Sequence, residues 1–403
     1  MSTINSEWKT VRIGDLGKVV TGGTPSSRKP EFFGDQYPFI TPTDIDDALR
    51  YIKTDRFLSE EGRLNQIRKQ LPADTVCFVC IGATIGKMCM TDSPSFTNQQ
   101  INSVVVDFEK HDSCFVYYLL STLKNRIKGI AAGAATPIVN KSSFSSVEVL
   151  TPSRDTQMRI ATILSAYDDL IENNRRRIKI LEEMAQNLYR EWFVKFRFPG
   201  HESVPMVDSP LGKIPEGWRN RTFGQVFDIK YGRTLPKKKI SDVGPYPVYG
   251  AGNIIGYYNQ SVVSEKVALV TCRGNGSGTV WRTRQAAFVT NNSLMLIPRP
   301  EFKSLTYFFN EQLALHSNIK RVVSGSAQPQ ITIDGLSRIK TIVPNETIVE
   351  KYCLLTLPLY ELIDSLIAQN QTLHQTRDLL LSKLISGELD VSELNIATGQ
   401  EAA

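Results

Sequence analysis

Residues in the second half of this 403-residue chain recur in the order, and nearly at the spacing, of residues in the first half. Trp8, Gly14, Gly22 and Thr24 are answered by Trp218, Gly224, Gly232 and Thr234, each 210 positions later. Further along the displacement settles at 192. Cys80-Ile-Gly82-Ala-Thr-Ile-Gly86 pairs with Cys272-Arg-Gly274-Asn-Gly-Ser-Gly278, and Ile127-Lys128 with Ile319-Lys320. Gly133 pairs with Gly325, Pro137 with Pro329 and Pro152 with Pro344. Thr97-Asn98 and Thr290-Asn291 stand 193 apart, a one-residue slip. A period of about 200 lies far above the ~20–50 residues of stacked-repeat proteins, so the pattern predicts two similar globular halves rather than a solenoid.

Each half has two parts. About 145 residues of mixed character come first, with short runs rich in Val, Ile, Phe and Thr broken by Gly, Pro and Asp. Val76-Cys-Phe-Val-Cys-Ile81, Ile101 to Asp107 and Lys266 to Thr271 read as strands of a β-rich domain. One helix is expected among them, from Phe115 to Lys128 and again from Leu305 to Lys320.

The period then changes. After Pro152, Ile160, Ile163, Tyr167, Leu170, Leu181, Met184 and Leu188 follow heptad spacing, flanked by Leu164, Ile171, Ile178 and Trp192. After Pro344, Tyr352, Leu355, Leu359, Leu362, Leu366, Leu373 and Leu380 do the same, flanked by Ile363 and Leu384. Both segments predict long amphipathic helices with apolar stripes too wide to leave in water. Ser153 and Asn345 are candidate N-caps, while Pro199-Gly200 and Gly387 mark the ends. About 40 residues at ~1.5 Å each span roughly 60 Å. Pro358 is expected to kink the second helix or split off its first segment. The matching stripes favour an antiparallel coiled coil between the helices, with a globular domain at each end; packing of each helix onto its own domain is the alternative. Ile160, Ile163, Tyr167, Leu170, Leu181 and Leu188 would then meet Leu355, Leu362, Leu366, Leu373 and Leu380, with Asn174, Gln369 and Asn370 available to fix register. The fold class expected is α+β: two β-rich domains separated by two long helices pairing as an antiparallel coiled coil.

Motifs of catalysis are missing. Gly82 to Gly86 with Lys87 and Met88 is one residue short of a phosphate-binding loop, and Met88 stands where a Ser or Thr would hold magnesium. Cys77-Phe-Val-Cys80 has zinc or redox spacing but no second ligand pair. His111, His201, His316 and His374 form no pair at ligand spacing. Asp228-Ile-Lys230 lacks the Pro-Asp of a nuclease motif, no Asn-Pro-Pro-aromatic motif of an adenine methyltransferase is present, and Gly250-Ala-Gly252 sits in no strand–loop–helix unit. The chain is therefore expected to be non-catalytic and to bind neither metal nor cofactor. Its six cysteines lie mostly in apolar runs and read as reduced, cytoplasmic residues. No run approaches the ~18 apolar residues of a membrane span. Met1 to Lys9 are polar, unlike a signal peptide.

Binding remains. Lys18, Thr24, Ser26, Arg28 and Lys29 surround a Gly-Gly-Thr-Pro turn; Lys230, Tyr231, Arg233, Lys237, Lys238 and Lys239 occupy the equivalent stretch. Such cations neutralise phosphates whatever the base sequence. A solvated face is the plainer account of the lysine run alone. Thr43, Asp44, Thr84, Asn98, Gln99, Gln100, Arg273, Asn275, Asn291, Asn292 and Gln328 have side chains that read base edges. Asn98 and Asn291 equally suit a structural role, capping a turn. Lys128 and Lys320 are shared between the halves, which suits a phosphate contact, and Lys87 is a further candidate. Arg273 stands opposite Ile81, which suits sequence readout.

Two diverged domains, each followed by a long helix, together resemble the specificity subunit of type I restriction–modification systems. The residues that carry the resemblance are Lys213-Ile-Pro-Glu-Gly-Trp218, Phe39-Ile-Thr-Pro-Thr-Asp-Ile45 and Leu170-Ile-Glu-Asn-Asn-Arg-Arg-Arg-Ile178. Asn187-Leu-Tyr-Arg-Glu-Trp-Phe193 and Leu380-Leu-Ser-Lys-Leu-Ile-Ser-Gly-Glu-Leu389 add to them, so that the likeness runs from Trp8 to Leu394. It implies target-recognition domains at 1–152 and, after a linker, within 199–344, spacer helices at 153–198 and 345–392, and a flexible tail at 393–403. It also implies that each domain reads one half of a split double-stranded DNA target, while the helices set the gap and dock two methyltransferase subunits. S-adenosylmethionine would belong to those partners; ATP and magnesium would belong to two motor-nuclease subunits. The alternatives are a specificity chain of a modification-only methyltransferase, or a coiled-coil adaptor with two protein-binding domains.

Overall fold

The structure, a computed structural model, describes residues 8–394 and 396 except 47–48, 132–136, 307, 310–312, 314–316 and 326–327. Gly133, His316, almost half of the helix expected from Leu305 to Lys320 and most of the tail therefore lie outside the described residues. The chain forms two units. One comprises Met1–Arg176 and Ala368–Ala403, the other Arg177–Ile367, so each holds one β-rich domain and a stretch of both long helices.

The sheet of unit 1 is antiparallel and runs Gly17–Thr21, Ile101–Val106, Val76–Val79, Met88–Met90 in spatial order. The sheet of unit 2 repeats that order with Phe227–Tyr231, Ser293–Pro298, Ala268–Thr271 and Val280–Arg282. Smaller pairs recur as well. Lys9–Arg12 joins Glu148–Thr151 as Arg219–Thr222 joins Lys340–Val343, and Tyr37–Ile40 runs parallel to Phe96–Thr97 as Tyr246–Tyr249 does to Phe288–Val289. The turns after the third strands depend on glycine: Gly82 and Gly86 hold φ of 82° and 99°, Gly274 and Gly278 φ of 82° and 89°. That left-handed region admits Gly with little strain. The spacing thus marks a tight reversal, not a phosphate loop. Cys77 in the Val76–Val79 strand and Cys80 just after it enter different apolar clusters, which removes any shared metal. Burial pushes the Cys80 thiol up to about 11.

The helix expected from Phe115 to Lys128 is two helices, Ser113–Thr122 and Lys124–Ile130. Among the described residues, Leu305, Phe308, Phe309, Leu313 and Ile319 are buried, the apolar face expected of its counterpart. The linker before Trp218 carries a hairpin that the sequence did not announce, Met206–Ser209 with Gly212–Pro215.

The first long helix is Arg154–Tyr189, extended by a π-helical turn at Arg190–Val194. It ends before the Pro199-Gly200 expected to stop it, because Phe196 turns left-handed at φ 59°. The second, Glu346–Ile385, is continuous through Pro358, so no first segment splits off. Val349 and Tyr352 are buried on the near side of Pro358, and Tyr360 and Ile363 on the far side; packing on both sides holds the helix across one missing hydrogen bond. Ser153 Oγ accepts from Thr156 N at 3.3 Å, Asn345 Oδ1 accepts from Thr347 N at 2.9 Å, and Gly387 closes the second helix at φ 74° against the Trp8 indole.

The helices pack antiparallel within each unit. In unit 1 Arg159 donates to the Ser392 carbonyl, Arg377 to Asp168, and Asn174 Nδ2 to Asn370 Oδ1 at 3.0 Å. Asn370 in turn donates to the Ile171 carbonyl, so both buried amides are paired and fix register as their positions suggested. In unit 2 Ala185 meets Tyr360 and Ile363, and Tyr189, Trp192 and Phe193 stack around Tyr352, with Phe193 5.0 Å from its ring. Each helix also joins its neighbouring domain: Ile160 and Leu164 enter the core of Phe78, Phe115 and Phe144, which receives Leu384, Ile385 and Val391 as well.

The seam differs in phase from the expected one. Leu170, Leu355 and Leu362 are exposed at 52%, 54% and 37% and do not pair. Ile160 and Leu366 are buried; Ile163, Tyr167, Leu181, Leu188, Leu373 and Leu380 are half-buried. The contact line follows Leu164, Ile171, Asn174 and Ala185, close to the stripe treated as a flank. A stripe two residues wide offers two heptad phases about 100° apart, and helix periodicity alone cannot choose between them.

Candidate nucleic-acid interface

One end of each four-stranded sheet gathers the loops that carry most of the candidates. In unit 1, Gly22 N donates to the Ile101 carbonyl at 3.1 Å and Gly23 N to the Thr97 carbonyl at 2.8 Å. A methyl group on Gly22 would lie 2.2 Å from the Asn98 carbonyl oxygen, so only glycine allows the loop this close. The approach brings Thr24 Oγ1 within 2.7 Å of Gln99 Oε1, both side chains exposed. Lys69 lies directly over Gly23, beside Gln66; neither was singled out from the sequence. Lys29 is exposed, its ammonium 5.2 Å from the Phe32 ring centroid.

Several candidates are engaged internally. Asn98 is buried, its Oδ1 accepting from Gln100 N and its Nδ2 donating to Gln100 Oε1, each at 3.0 Å: here the turn-cap role holds. Asp44 Oδ2 accepts from Thr41 N and Thr41 Oγ1 at 2.7 Å, and Arg56 reaches Asp44, Thr41 and the exposed Thr43. Arg56 is a further cation of this edge that the sequence reading missed. Lys87 Nζ donates to the Ile45 carbonyl at 2.8 Å, tying the glycine turn to that loop. Thr84 is exposed on the turn.

In unit 2, Gly232 repeats the close approach, its added methyl falling 2.2 Å from the Thr290 carbonyl oxygen. Arg233 follows, exposed, with its N–H on the Val289 carbonyl at 2.8 Å. Lys237, Lys238 and Lys239 form one exposed 3-10 turn. Beside them Lys237, Asp242, Thr290, Asn291 and Asn292, with Leu235, Ile240 and Ile255, line a cleft of about 470 Å³. Asn291 and Asn292 are half-buried there, whereas the carboxamide of the equivalent Asn98 is spent on its own turn.

A second cluster forms at the glycine turn of unit 2. Gly274 N and Ser277 Oγ both donate to the Pro329 carbonyl at 2.9 Å, drawing exposed Gln328 towards exposed Arg273 and Asn275. Cys272 N donates to the Asn292 carbonyl at 2.9 Å, so this cluster adjoins the cleft. Unit 1 shares the framework, with Gly82 N on the Pro137 carbonyl at 2.9 Å. Exposed Lys320 lies against Gly278, but Gly86 lies against Lys124, not Lys128. Lys124 thus stands beside the glycine turn where Lys320 does in unit 2, and Lys128 is exposed one helical turn on, after the buried Ile127 that matches Ile319. Among the described residues no group of three or more His, Cys, Asp or Glu can hold a metal, and no helix is long and apolar enough to cross a membrane.

Comparison with known proteins agrees with the duplicated architecture. The family model described as type I restriction modification DNA specificity domain matches twice, at residues 5–183 and 215–351. The MjaIX specificity subunit of Methanocaldococcus jannaschii is 28% identical over 415 residues, covering 97% of this chain and 95% of its own. The HindI specificity subunit of Haemophilus influenzae is 38% identical over 177 residues, 42% of this chain and 38% of its own. In fold, a crystal structure of the type I restriction–modification system S subunit from M. genitalium superposes with a TM-score of 0.63 at 20% identity, covering 95% of this chain and 97% of that one. The chain belongs to the type I restriction–modification DNA specificity family, as a DNA-recognition subunit and not a catalytic one.

Proposed function

We propose that each loop edge reads one half of a split double-stranded DNA target and that the helix pair sets the gap between the halves. In this reading residues 1–152 and the folded part of 199–344 are the recognition domains, 153–198 and 345–392 the spacer, and 393–403 a tail. The observation that carries it is the pairing of exposed cations with polar groups turned to solvent at the same sheet end of both units. Lys29 and Lys128 lie there in the first, backed by half-buried Lys69 and Lys124, and Arg233, Lys237 to Lys239, Arg273 and Lys320 in the second. Cations hold phosphates irrespective of sequence, while Gln99, Asn275, Asn291, Asn292 and Gln328 supply the donors and acceptors that read base edges. Thr24, Thr43 and Thr84 add hydroxyls, and Asp44, Lys87 and Asn98 hold the loops in shape.

Exposed apolar residues on the helices, Leu170, Met184, Leu355 and Leu362 among them, suit docking of two methyltransferase subunits, which bring S-adenosylmethionine. Two motor-nuclease subunits, with ATP and magnesium, complete the cytoplasmic restriction complex. Methylated-base mapping of genomic DNA with and without this chain tests the reading. The expected result is a bipartite adenine-methylated sequence that vanishes with the chain; a contiguous sequence, or none, overturns it.

A further inference from the structure

In unit 1 a chain of buried polar contacts joins the recognition domain to both long helices. Arg50 is held to the edge strand through its carbonyl, which accepts from Met90 N at 2.7 Å. Its guanidinium, 11% exposed, donates inward to Tyr118 Oη at 3.2 Å and outward to Asp169 Oδ1, itself 65% exposed, at 2.8 Å. Tyr118 donates onward to Asp168 Oδ2 at 2.5 Å, and Arg377 on the second helix donates to Asp168 Oδ1 at 2.6 Å. Asp168 is 15% exposed and Arg377 21%. One carboxylate thus takes a donor from the domain on one oxygen and from the opposite helix on the other. Apolar packing around it is non-directional and tolerates sliding, whereas hydrogen bonds among buried charges demand fixed distances and angles. Unit 2 has a looser version: Lys266 and Arg284 meet Asp364 with all three side chains a third or more exposed, the kind of pair solvent screens.

We propose that Arg50, Tyr118, Asp168 and Arg377 are positioning residues: they fix the angle at which the first domain is carried on the helix pair, and thereby the gap between half-sites that the chain accepts. This rests on the split-target reading above. The test uses the chain assembled with its methyltransferase partner. Binding is measured on labelled duplexes with the mapped half-sites at the native gap and at one base pair more and fewer, and on random duplex. Tyr118→Phe keeps the ring and removes only the hydroxyl; Arg50→Lys keeps the charge and removes the fork. Each is expected to reduce the preference for the native gap about tenfold, the scale of one charge-assisted hydrogen bond, with random-duplex affinity unchanged and the chain folded by circular dichroism. A gap preference equal to the wild type's, affinities that fall alike on every duplex, or an unfolded Tyr118→Phe chain would each overturn the proposal. A wild-type complex indifferent to the gap would instead sink the split-target reading, and this one with it.

Discussion

At the scale of single residues, glycines packed against backbone are the most exposed to mutation. A Cβ at Gly22 or Gly232 would sit 2.2 Å from a carbonyl oxygen, so Gly22→Ala must push its loop off the strand end. We expect a loss of about 1–3 kcal/mol in urea denaturation, with weaker DNA binding because Thr24 leaves Gln99. The cations separate by role. Lys320→Ala and Lys124→Ala should each weaken binding to all duplexes alike and lower the salt slope by about one ion, read from affinity across a salt series. Arg273→Ala should instead relax a single base position at one half-site, measured with a library of base variants. Equal loss across all variants would remove Arg273 from the readers. The displacement of 192 keeps Ile127 and Ile319 at matching buried positions, whereas the lysine beside the glycine turn is Lys124 in one unit and Lys320 in the other.

At the scale of elements, what was legible in the sequence is what backbone geometry forces. The paired glycines fall at positive φ, the carbonyls of the paired prolines at 137 and 329 close the same turns, and the Val- and Ile-rich runs form the central strands. Helix phase was not legible, since both candidate stripes are apolar and the choice rests with the surface each meets. Two substitutions separate them. Leu164→Ala, at a fully buried position, should cost about 2–5 kcal/mol, and Leu170→Ala less than about 0.5 kcal/mol, both by denaturation. The base-reading loops were only partly legible: Asn98 is consumed by its own turn, while Lys69, Gln66 and Arg56 come from segments with no recognised counterpart in the other half. The Asn174–Asn370 pair was readable, being polar residues within an apolar stripe. Asn174→Leu should take the donor from Asn370 Oδ1 and cost about 1–3 kcal/mol; the double change to leucine should restore most of it while loosening register, detectable as new cross-linking partners along the helices.

At the scale of the whole molecule, unit 2 is one continuous stretch lodged within the chain of unit 1. The core of unit 1 takes Ile160 and Leu164 from the first helix, Leu384 and Ile385 from the far end of the second, and Val391 from the segment after it. Removing residues 384–403 should therefore open unit 1 and leave unit 2 folded, seen as two separated thermal transitions where the intact chain is expected to show closer ones. The same interleaving has a consequence for synthesis. A ribosome completes residues 177–367 before it makes Leu384, so the second domain has its full set of partners while the first still waits for its last apolar contacts. For that interval the Ile160–Leu164 face stands uncovered on the nascent chain, and the half begun first is the half finished last.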